Sequence, residues 1–309
     1  LIIARVYCHL KFEECSFKLG YDKPLYKEMI NYTGWNTIGA FAFMAHGQGL
    51  NILLNLFYGT LVNASRGIAF AVSAYVTTFI NNFQSATAPQ IIKYHAAGDD
   101  GNMNTLIHNT SKYSTFLFML VGIPVFIETE GLVRLWLGHV PEYVVWFVRL
   151  TLIQALVQSI DIPVGRGIHA FGDMKLANIV SGSVYMMILP LSYVAMRLGA
   201  SPTIAYIIIV FTYPVALLTD LWILRRFSSF DILSFLKDVV GKTLLLIAII
   251  MIIPVVIHVY LPDTIFRIFI VAITSFLISA FVIFNLGLTK ELRQKVKDVI
   301  TNKLGINRI

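Results

Sequence analysis

The chain has 309 residues, of which 57% are hydrophobic and only 13% are charged, and it carries a formal net charge of +7. Soluble domains contain about 25% charged residues, so this composition excludes a soluble globular protein. The two cysteines, Cys8 and Cys15, are too few for a disulfide framework and form no metal-binding motif with His9. We therefore predict an all-α, polytopic membrane protein that holds no metal and no cofactor.

Stretches long and apolar enough to cross a bilayer follow one another along most of the chain. The hydrocarbon core takes roughly 20 residues of helix per crossing, and short turns containing Gly, Pro, Asn or Asp separate most of the stretches. The eight predicted spans are about 32–57, 64–92, 111–128, 143–165, 176–197, 202–225, 241–261 and 263–286. The first eight residues are typical of the end of an apolar helix and not of a signal peptide, so we expect further spans to precede them.

These spans divide the chain into four regions. We predict the cytoplasmic end of a preceding helix and a basic loop at 1–30, a six-helix bundle at 31–225, two accessory transmembrane helices at 226–286, and a basic cytoplasmic tail at 287–309. Residues 128–143 are too polar to span and predict a short amphipathic helix along the outer surface. The tail predicts either a helix on anionic lipid or a solvated end.

Lys and Arg residues are distributed unequally between the two sides of this topology. Nineteen of the 24 lie in segments on the side of the amino terminus, and five lie on the opposite side. A positive-inside bias of this size places both ends of the chain in the cytoplasm. The positive charge therefore reflects topology, and we expect no nucleic-acid partner.

Polar side chains recur at helical spacing on three of the spans, which gives each of these spans one hydrophilic face. For any single residue the alternative is a hydrogen bond between helices, worth about 0.6 kcal/mol. Three such faces together favour a water-lined cavity, whereas the last two spans lack a polar face and are predicted to lie outside the bundle. The candidate cavity residues are Gln48, Asn51, Asn55, Asn63, Arg66, Thr77, Asn81, Gln84, Gln154 and Gln158.

Asp161 is the carboxylate that the sequence places alone near the middle of a span in this polar region. A charge at that depth costs about 2.5–3.5 kcal/mol, so Asp161 is the candidate for coupling transport to an ion. A structural pair with an arginine or an amide is the alternative. The sequence contains no HExxH, GxSxG or P-loop motif, so we expect no catalytic residue and no enzymatic activity.

The most specific pattern is GWNTIGAFAFMAHGQGLNILLNLFYGTLVNASRGIAFAVSAYVTTFINNFQSATAPQIIKYHAAGD, residues 34–99. Together with LWLGHVPEY at 135–143, it resembles bacterial polysaccharide flippases, the O-antigen branch of the multidrug/oligosaccharidyl-lipid/polysaccharide exporter superfamily. Beyond residue 176 the resemblance rests on the number of spans. Its distinctive elements are Gly34-Trp35-Asn36, Gln48, Asn51, Asn55 with Phe57 and Gly59, Val62-Asn63-Ala64, Arg66-Gly67-Ile68-Ala69 and Pro89-Gln90-Ile91.

The resemblance implies one six-helix bundle of a two-bundle transporter plus two accessory helices. The missing N-terminal bundle would be the partner of this one, and without it we expect no transport. The implied function is to move undecaprenyl-diphosphate-linked oligosaccharide across the bacterial inner membrane for O-antigen, lipopolysaccharide or other polysaccharide biosynthesis. Alternating access would be coupled to an ion gradient or to the membrane potential. The implied partners are this anionic lipid-linked oligosaccharide, membrane lipids and the polysaccharide polymerase machinery.

The candidate residues then acquire roles. Arg66 would bind diphosphate oxygens through its forked guanidinium, and the cavity amides would bind sugar hydroxyls. Alternatively, Asn63 and Arg66 only cap the turn between the first two spans, with Arg66 extending to lipid head groups. Two other functions stay open: a cation-coupled multidrug antiporter, which would need more acidic cavity residues, and a membrane-embedded glycosyltransferase or ligase, which would need a catalytic cluster on a large outer loop.

Overall fold

The computed structural model describes residues 2–12, 21–172 and 174–303, and this part of the chain is helical almost throughout, with no strand. Two π-helical turns, Leu236–Gly241 and Ile283–Gly287, interrupt the α-helices of this part. The helices are α1 (Ile2–Lys11), α2 (Lys23–Tyr58), α3 (Thr60–Ala96), α4 (Asp100–Ile127), α5 (Thr129–Leu137), α6 (Val144–Ala170), α7 (Met174–Met186), α8 (Ile188–Arg197), α9 (Ile204–Phe227), α10 (Ile232–Phe235), α11 (Lys242–Tyr260), α12 (Ile265–Val282) and α13 (Lys290–Lys303).

Helices occupy all eight predicted spans, with α7 and α8 forming the two parts of the fifth. Among the described residues, six helical segments from α4 onward are long and apolar enough to cross a membrane. Helices α2 and α3 are longer, with 36 and 37 residues, but they are not among these six segments. Their amide and hydroxyl side chains lower the mean hydropathy of the two helices. The chain is therefore an all-α, multi-pass membrane protein.

Helix α2 begins at Lys23, earlier than the predicted start at residue 32. Asp22 precedes it with an extended backbone, and its side chain accepts a hydrogen bond from the backbone N–H of Leu25 at 3.3 Å. Pro24 lies in the first turn, where its missing N–H is not needed. An aspartate cap followed by proline is a strong helix start, and it extends the helix beyond the apolar stretch that the prediction used.

Helix α6 lies at the centre of the bundle and packs against α3, α4 and α9. Helix α2 packs mainly against α7 and also contacts α3 and α8, and both α7 and α8 contact α9. Gly49 permits this close approach, because a Cβ there would lie 2.7 Å from the Leu189 side chain, and a Cβ at Gly39 would overlap Asn178. Small residues at such positions let membrane helices pack closely.

Helices α11 and α12 pack against each other and against α4. Their contact with α4 is mainly apolar and also contains a buried hydrogen bond from Thr243 to Thr115 at 3.0 Å. The apolar part includes Met119, Ile123, Leu246, Ile250 and Val271. The remaining surfaces of the two helices expose large hydrophobic side chains, as a lipid-facing position requires. This packing agrees with the predicted place of the last two spans at the periphery.

Both predicted non-spanning helices are present. Helix α5 covers the central part of 128–143, ends at Gly138 in the left-handed conformation, and buries Thr129 and Val133. Helix α13 covers the tail as far as Lys303. The last residues of the tail, 304–309, lie outside the described residues.

An ionic cluster joins α12 to the junction of α4 and α5; we call it the Glu128 cluster. Glu128 is 1% exposed, and it forms an ion pair with Arg267 at 3.2 Å and a hydrogen bond with His258 at 2.7 Å. Arg267 also pairs with Asp263 at 2.8 Å, and Asp263 receives a hydrogen bond from Arg134. The bond from Arg134 lowers the pKa of the exposed Asp263 carboxyl. Each carboxylate of the cluster therefore has a cationic partner.

Candidate functional site

A polar cavity of about 330 Å³ lies between α2, α3 and α6; we call it the amide cavity. Thr77 and Asn81 line it from α3, and Gln154 and Gln158 line it from α6. Members of each pair are four residues apart and therefore share a helix face. Because α3 and α6 pack extensively against each other, their polar faces meet, and four of the ten candidate residues are brought together.

Hydroxyl groups continue the same two faces along the amide cavity. They belong to Ser73, Thr151 and Ser159. A volume of this size falls within the range of small-molecule sites, roughly 300–1,000 Å³. A wall of amides and hydroxyls offers both donors and acceptors, so it suits water or a polyhydroxylated ligand.

The amides of this cavity retain unused hydrogen-bonding capacity. Gln158 reaches the Tyr213 hydroxyl only at 3.5 Å, and Gln154 also bonds to that phenol. Asn81 is exposed and has no side-chain hydrogen bond within the described residues. Thr77 donates to the backbone carbonyl of its own helix, at Ser73. These donors and acceptors are available to a ligand.

Arg66 lies behind the wall of the amide cavity, close to the junction of α2 and α3. Its side chain is 3% exposed, and Nη2 donates to the backbone carbonyl of Gly47 at 2.9 Å. The guanidinium lies over the ring of Phe70 at 4.6 Å, and that ring lines the cavity. Nε and Nη1 are buried and have no hydrogen-bond partner. No carboxylate of the described residues lies within ion-pair distance of this charge.

This geometry corrects two expectations for the turn. Arg66 does not extend to lipid head groups, because burial holds it against Gly47 of α2. Asn63 does not cap α3, since no side chain forms a capping bond at Gly59 and the Asn63 Oδ1 is buried without a partner. Neither Asn63 nor Arg66 is among the residues that line the amide cavity, although both were predicted as cavity residues.

The remaining candidates on α2 lie apart from the amide cavity. Asn51 donates from Nδ2 to Oε1 of Gln48 at 3.0 Å, one turn away on the same helix. Gln48 and Asn55 are exposed. None of the three lines the cavity, although Phe43 of α2 does. The sequence therefore placed α2 beside the cavity correctly but assigned the wrong side chains to its wall.

Gln84 lies in tight packing between helices and not in the cavity. It is fully buried, and its Nε2 donates to the Ser114 hydroxyl of α4 and to the Ser159 carbonyl of α6, both at 2.9 Å. Arg166 donates to the Gln84 backbone carbonyl. Gln84 thus follows the alternative explanation, a hydrogen bond between helices.

Asp161 has a partner that neither explanation included. Its carboxyl group interacts electrostatically with that of Asp220 on α9, and no arginine or amide of the described residues pairs with it. Asp220 also accepts a hydrogen bond from Ser181 of α7. Asp161 is therefore not alone at this depth, and the sequence analysis missed both Asp220 and Ser181.

The reason for the omission lies in helix α9. Asp220 belongs to the stretch TYPVALLTDLWILRR, in which apolar residues surround the helix on all sides and give no indication of a polar face. The sequence did contain one indication of a role for Asp220: it is a carboxylate inside an otherwise apolar span, and such residues face partners or cavities. The sequence analysis applied that rule only to Asp161.

Together these features define the class: an all-α, multi-pass membrane protein whose helix bundle contains a polar cavity, a buried guanidinium without a carboxylate partner among the described residues, and two interacting aspartates. No model of a protein family, no curated protein and no solved structure matches the chain. The resemblance to polysaccharide flippases therefore stays a prediction.

Proposed function

We propose that this chain is the second helix bundle of a flippase for undecaprenyl-diphosphate-linked oligosaccharides in O-antigen or other polysaccharide biosynthesis, acting in the bacterial inner membrane. The observation that carries the proposal is the position of Arg66 behind a cavity lined by amides and hydroxyls. Such a cargo has a diphosphate, which needs a cation, and a neutral glycan, which needs donors and acceptors. The two kinds of site lie side by side here.

Arg66 suits the diphosphate because its charge is not matched by a carboxylate and its Nε and Nη1 have no partner. Their N–H groups lie in the plane of the guanidinium and remain able to donate charge-assisted hydrogen bonds to phosphate oxygens. Phe70 lies between the guanidinium and the cavity and is 43% exposed. Rotation of this ring would open the guanidinium to an anion in the cavity.

The exposed amides of α2 support a second bundle as partner. Gln48 and Asn55 are exposed, and hydrocarbon would offer no partner to their remaining donors and acceptors. In the proposed transporter they face the aqueous space shared with the other bundle. The proposed topology, which the positive-inside bias supports, has both chain ends in the cytoplasm, so that the α2–α3 junction and Arg66 would lie toward the outer side. Chemistry on the cargo is not part of this role, and the proposed protein is not an enzyme.

A cation-coupled multidrug antiporter is the second candidate, and the pair Asp161–Asp220 favours it. Two interacting carboxyl groups within the bundle supply the additional acidic residue that such an antiporter needs. An antiporter of organic cations has no use for an unpaired buried guanidinium, however, because the positive charge would repel its cargo. Arg66 therefore decides between the two candidates.

Binding of a short-chain polyprenyl-diphosphate-linked disaccharide to the purified chain tests the proposal. We expect Arg66→Ala to weaken binding about tenfold to a hundredfold, because hydrogen bonds to charged groups contribute about 1.5–3 kcal/mol. Arg66→Lys keeps the charge without the fork and should give an intermediate loss. Binding of the same glycolipid without its diphosphate should not change.

Arg197→Ala is the matched control, since this exposed arginine contacts only the ring and hydroxyl of Tyr193 on its own helix. It should bind the diphosphate ligand like the wild type. Gel filtration and thermal unfolding establish that each variant is folded. Equal binding by wild type and a folded Arg66→Ala protein would remove Arg66 from any phosphate role and refute the proposal, as would preferential binding of organic cations.

A further inference from the structure

An apolar groove of about 420 Å³ lies between α3, α4, α5 and α6, apart from the amide cavity; we call it the valine groove. Valines form most of its wall, and Tyr75, Thr129, Leu132 and Trp136 complete it. The valines are Val72, Val76, Val121, Val125, Val133 and Val148. Short, β-branched side chains leave space between helices and have few rotamers. The groove is therefore largely formed before anything binds, which lowers the cost of binding.

The length of the valine groove suits one leaflet of a bilayer. Its wall runs from Val121 on α4 to Thr129 at the start of α5, and at 1.5 Å per residue this stretch is about 12 Å long. One leaflet supplies half of a hydrocarbon core that is roughly 30 Å thick. The flanking rings of Tyr75 and Trp136 are 80% and 56% exposed, so they are open to lipid. An acyl chain therefore fits the groove in both chemistry and length.

A cation lies beside the end of the valine groove at the α4–α5 junction. Arg149 of α6 is half-buried, and its Nε donates to the backbone carbonyl of Phe126 at 3.2 Å. The Thr129 hydroxyl donates to the same carbonyl oxygen at 3.0 Å. Because Thr129 belongs to the groove wall, the shared acceptor places the guanidinium next to this end of the groove.

The charge of Arg149 is available to an anion. Among the described residues, no carboxylate lies within ion-pair distance of it, and the nearby Glu128 pairs with Arg267 instead. Nη2 reaches the Ile127 carbonyl only at 3.5 Å, and Nη1 donates to no group in the described part of the chain. Guanidinium N–H groups form strong, charge-assisted hydrogen bonds with phosphate oxygens.

We propose that the valine groove and Arg149 together bind an anionic glycerophospholipid of the leaflet in which α5 lies. One acyl chain occupies the groove, and the phosphate lies at the guanidinium. The other explanation for Arg149 is that it only caps the last carbonyls of α4, which leaves the adjoining groove without a role. A groove of this length encloses an acyl chain but not the much longer polyprenyl chain of the proposed cargo. The lipid site is therefore independent of the proposed transport function.

Quenching of tryptophan fluorescence by brominated lipids tests the proposal at the groove itself. The purified full chain is placed in lipid nanodiscs after replacement of Trp35, Trp146 and Trp222 by phenylalanine, so that the signal comes from Trp136 in the groove wall. We expect brominated phosphatidylglycerol to associate with this site about tenfold more strongly than brominated phosphatidylcholine, whose choline offsets the phosphate charge. High salt should reduce this preference.

Substitutions separate the charge from the groove. Arg149→Gln should bring the preference for phosphatidylglycerol close to unity, whereas Arg149→Lys keeps the charge and should retain most of it. Val121→Phe fills the groove and should weaken the association of both lipids. Val256→Phe is the matched control, because Val256 is an exposed valine on α11, away from the groove, and it should change neither association. Gel filtration and thermal unfolding establish that each variant is folded.

Equal association of the two lipids with the protein that retains Arg149 would overturn the proposal. So would an unchanged preference in a folded Arg149→Gln protein or unchanged association in Val121→Phe. An Arg149→Lys protein no more selective than Arg149→Gln would show that Arg149 acts only as a cap of α4. Displacement of phosphatidylglycerol by a polyprenyl phosphate at lower concentrations than by unlabelled phosphatidylglycerol would assign the groove to an isoprenoid chain and refute the proposed occupant.

Discussion

Buried charges at two places in this molecule have different surroundings. In the Glu128 cluster, Glu128 is 1% exposed and contacts Arg267 at 3.2 Å and His258 at 2.7 Å. Near the α2–α3 junction, Arg66 is 3% exposed, yet within the described part of the chain its side chain donates only to the backbone carbonyl of Gly47, and Nε and Nη1 have no partner there. The first site balances its charges within the protein, and the second does not.

The difference separates an architectural role from a binding role. Removal of an ion from water costs several kcal/mol even after relaxation of the protein, so a buried charge without a counterion needs a reason to persist. The buried charge of Glu128 has a counterion and an architectural role, since the Glu128 cluster joins α12 to the junction of α4 and α5. No comparable architectural reason is found for Arg66 among its contacts, which is why we assign its charge to an anionic ligand.

The largest effect on stability is expected at Glu128. Glu128→Gln removes the carboxylate that Arg267 and His258 share, and loss of one partner of a buried ion pair costs about 3–5 kcal/mol. We expect a loss near the lower limit, because Arg267 keeps its pair with Asp263 at 2.8 Å. Chemical unfolding in detergent micelles measures the change in the free energy of unfolding.

Glu130→Gln is the matched control within the same cluster. Glu130 pairs with Arg134 at 2.6 Å, but both side chains are about half exposed. Exposed pairs contribute about 0.2–1 kcal/mol, so this variant should unfold almost like the wild type. Equal losses for the two variants would show that burial does not distinguish them and would weaken the comparison.

A smaller effect is expected at Arg66. Arg66→Met removes a charge without a counterion and keeps an unbranched, apolar side chain. The lost bond to Gly47 is offset by the lower cost of burial, so the free energy of unfolding should stay within about 1 kcal/mol of the wild type or rise. The same unfolding assay measures this. A loss as large as that of Glu128→Gln would show that Arg66 supports the fold, and the binding role would lose its argument.

Part of this arrangement was predictable from the sequence. The period of polar residues on α3 and α6 identified the faces that meet at the amide cavity, because Thr77 and Asn81 are one turn apart, as are Gln154 and Gln158. The spacing of the polar residues determines which face of a helix is polar, but it does not determine which neighbouring helix covers that face at each position along it. Gln84 continues the same face but lies where α4 approaches, and Ser114 closes the space.

Other parts depended on information that a single helix does not contain. The partner of Asp161 lies on α9, a helix without a polar face, and only packing brings Asp220 to it. The partner of Arg66 is a backbone carbonyl of α2, which sequence patterns of side chains do not show. Contacts between distant segments therefore determined which polar residues pair and which remain available.

The central claim is that Asn81 and Gln158 face a shared aqueous cavity, and cysteine accessibility tests it most directly. Cysteine is placed at 81, 158 or 253 after replacement of Cys8 and Cys15 by serine, and labelling by a charged, membrane-impermeant maleimide is timed in detergent-free membranes opened to both sides. Ile253 is 53% exposed on α11 and serves as the lipid-facing control. We predict rapid labelling at 81 and 158 and slow labelling at 253. Labelling at 81 and 158 as slow as at 253 would contradict the account.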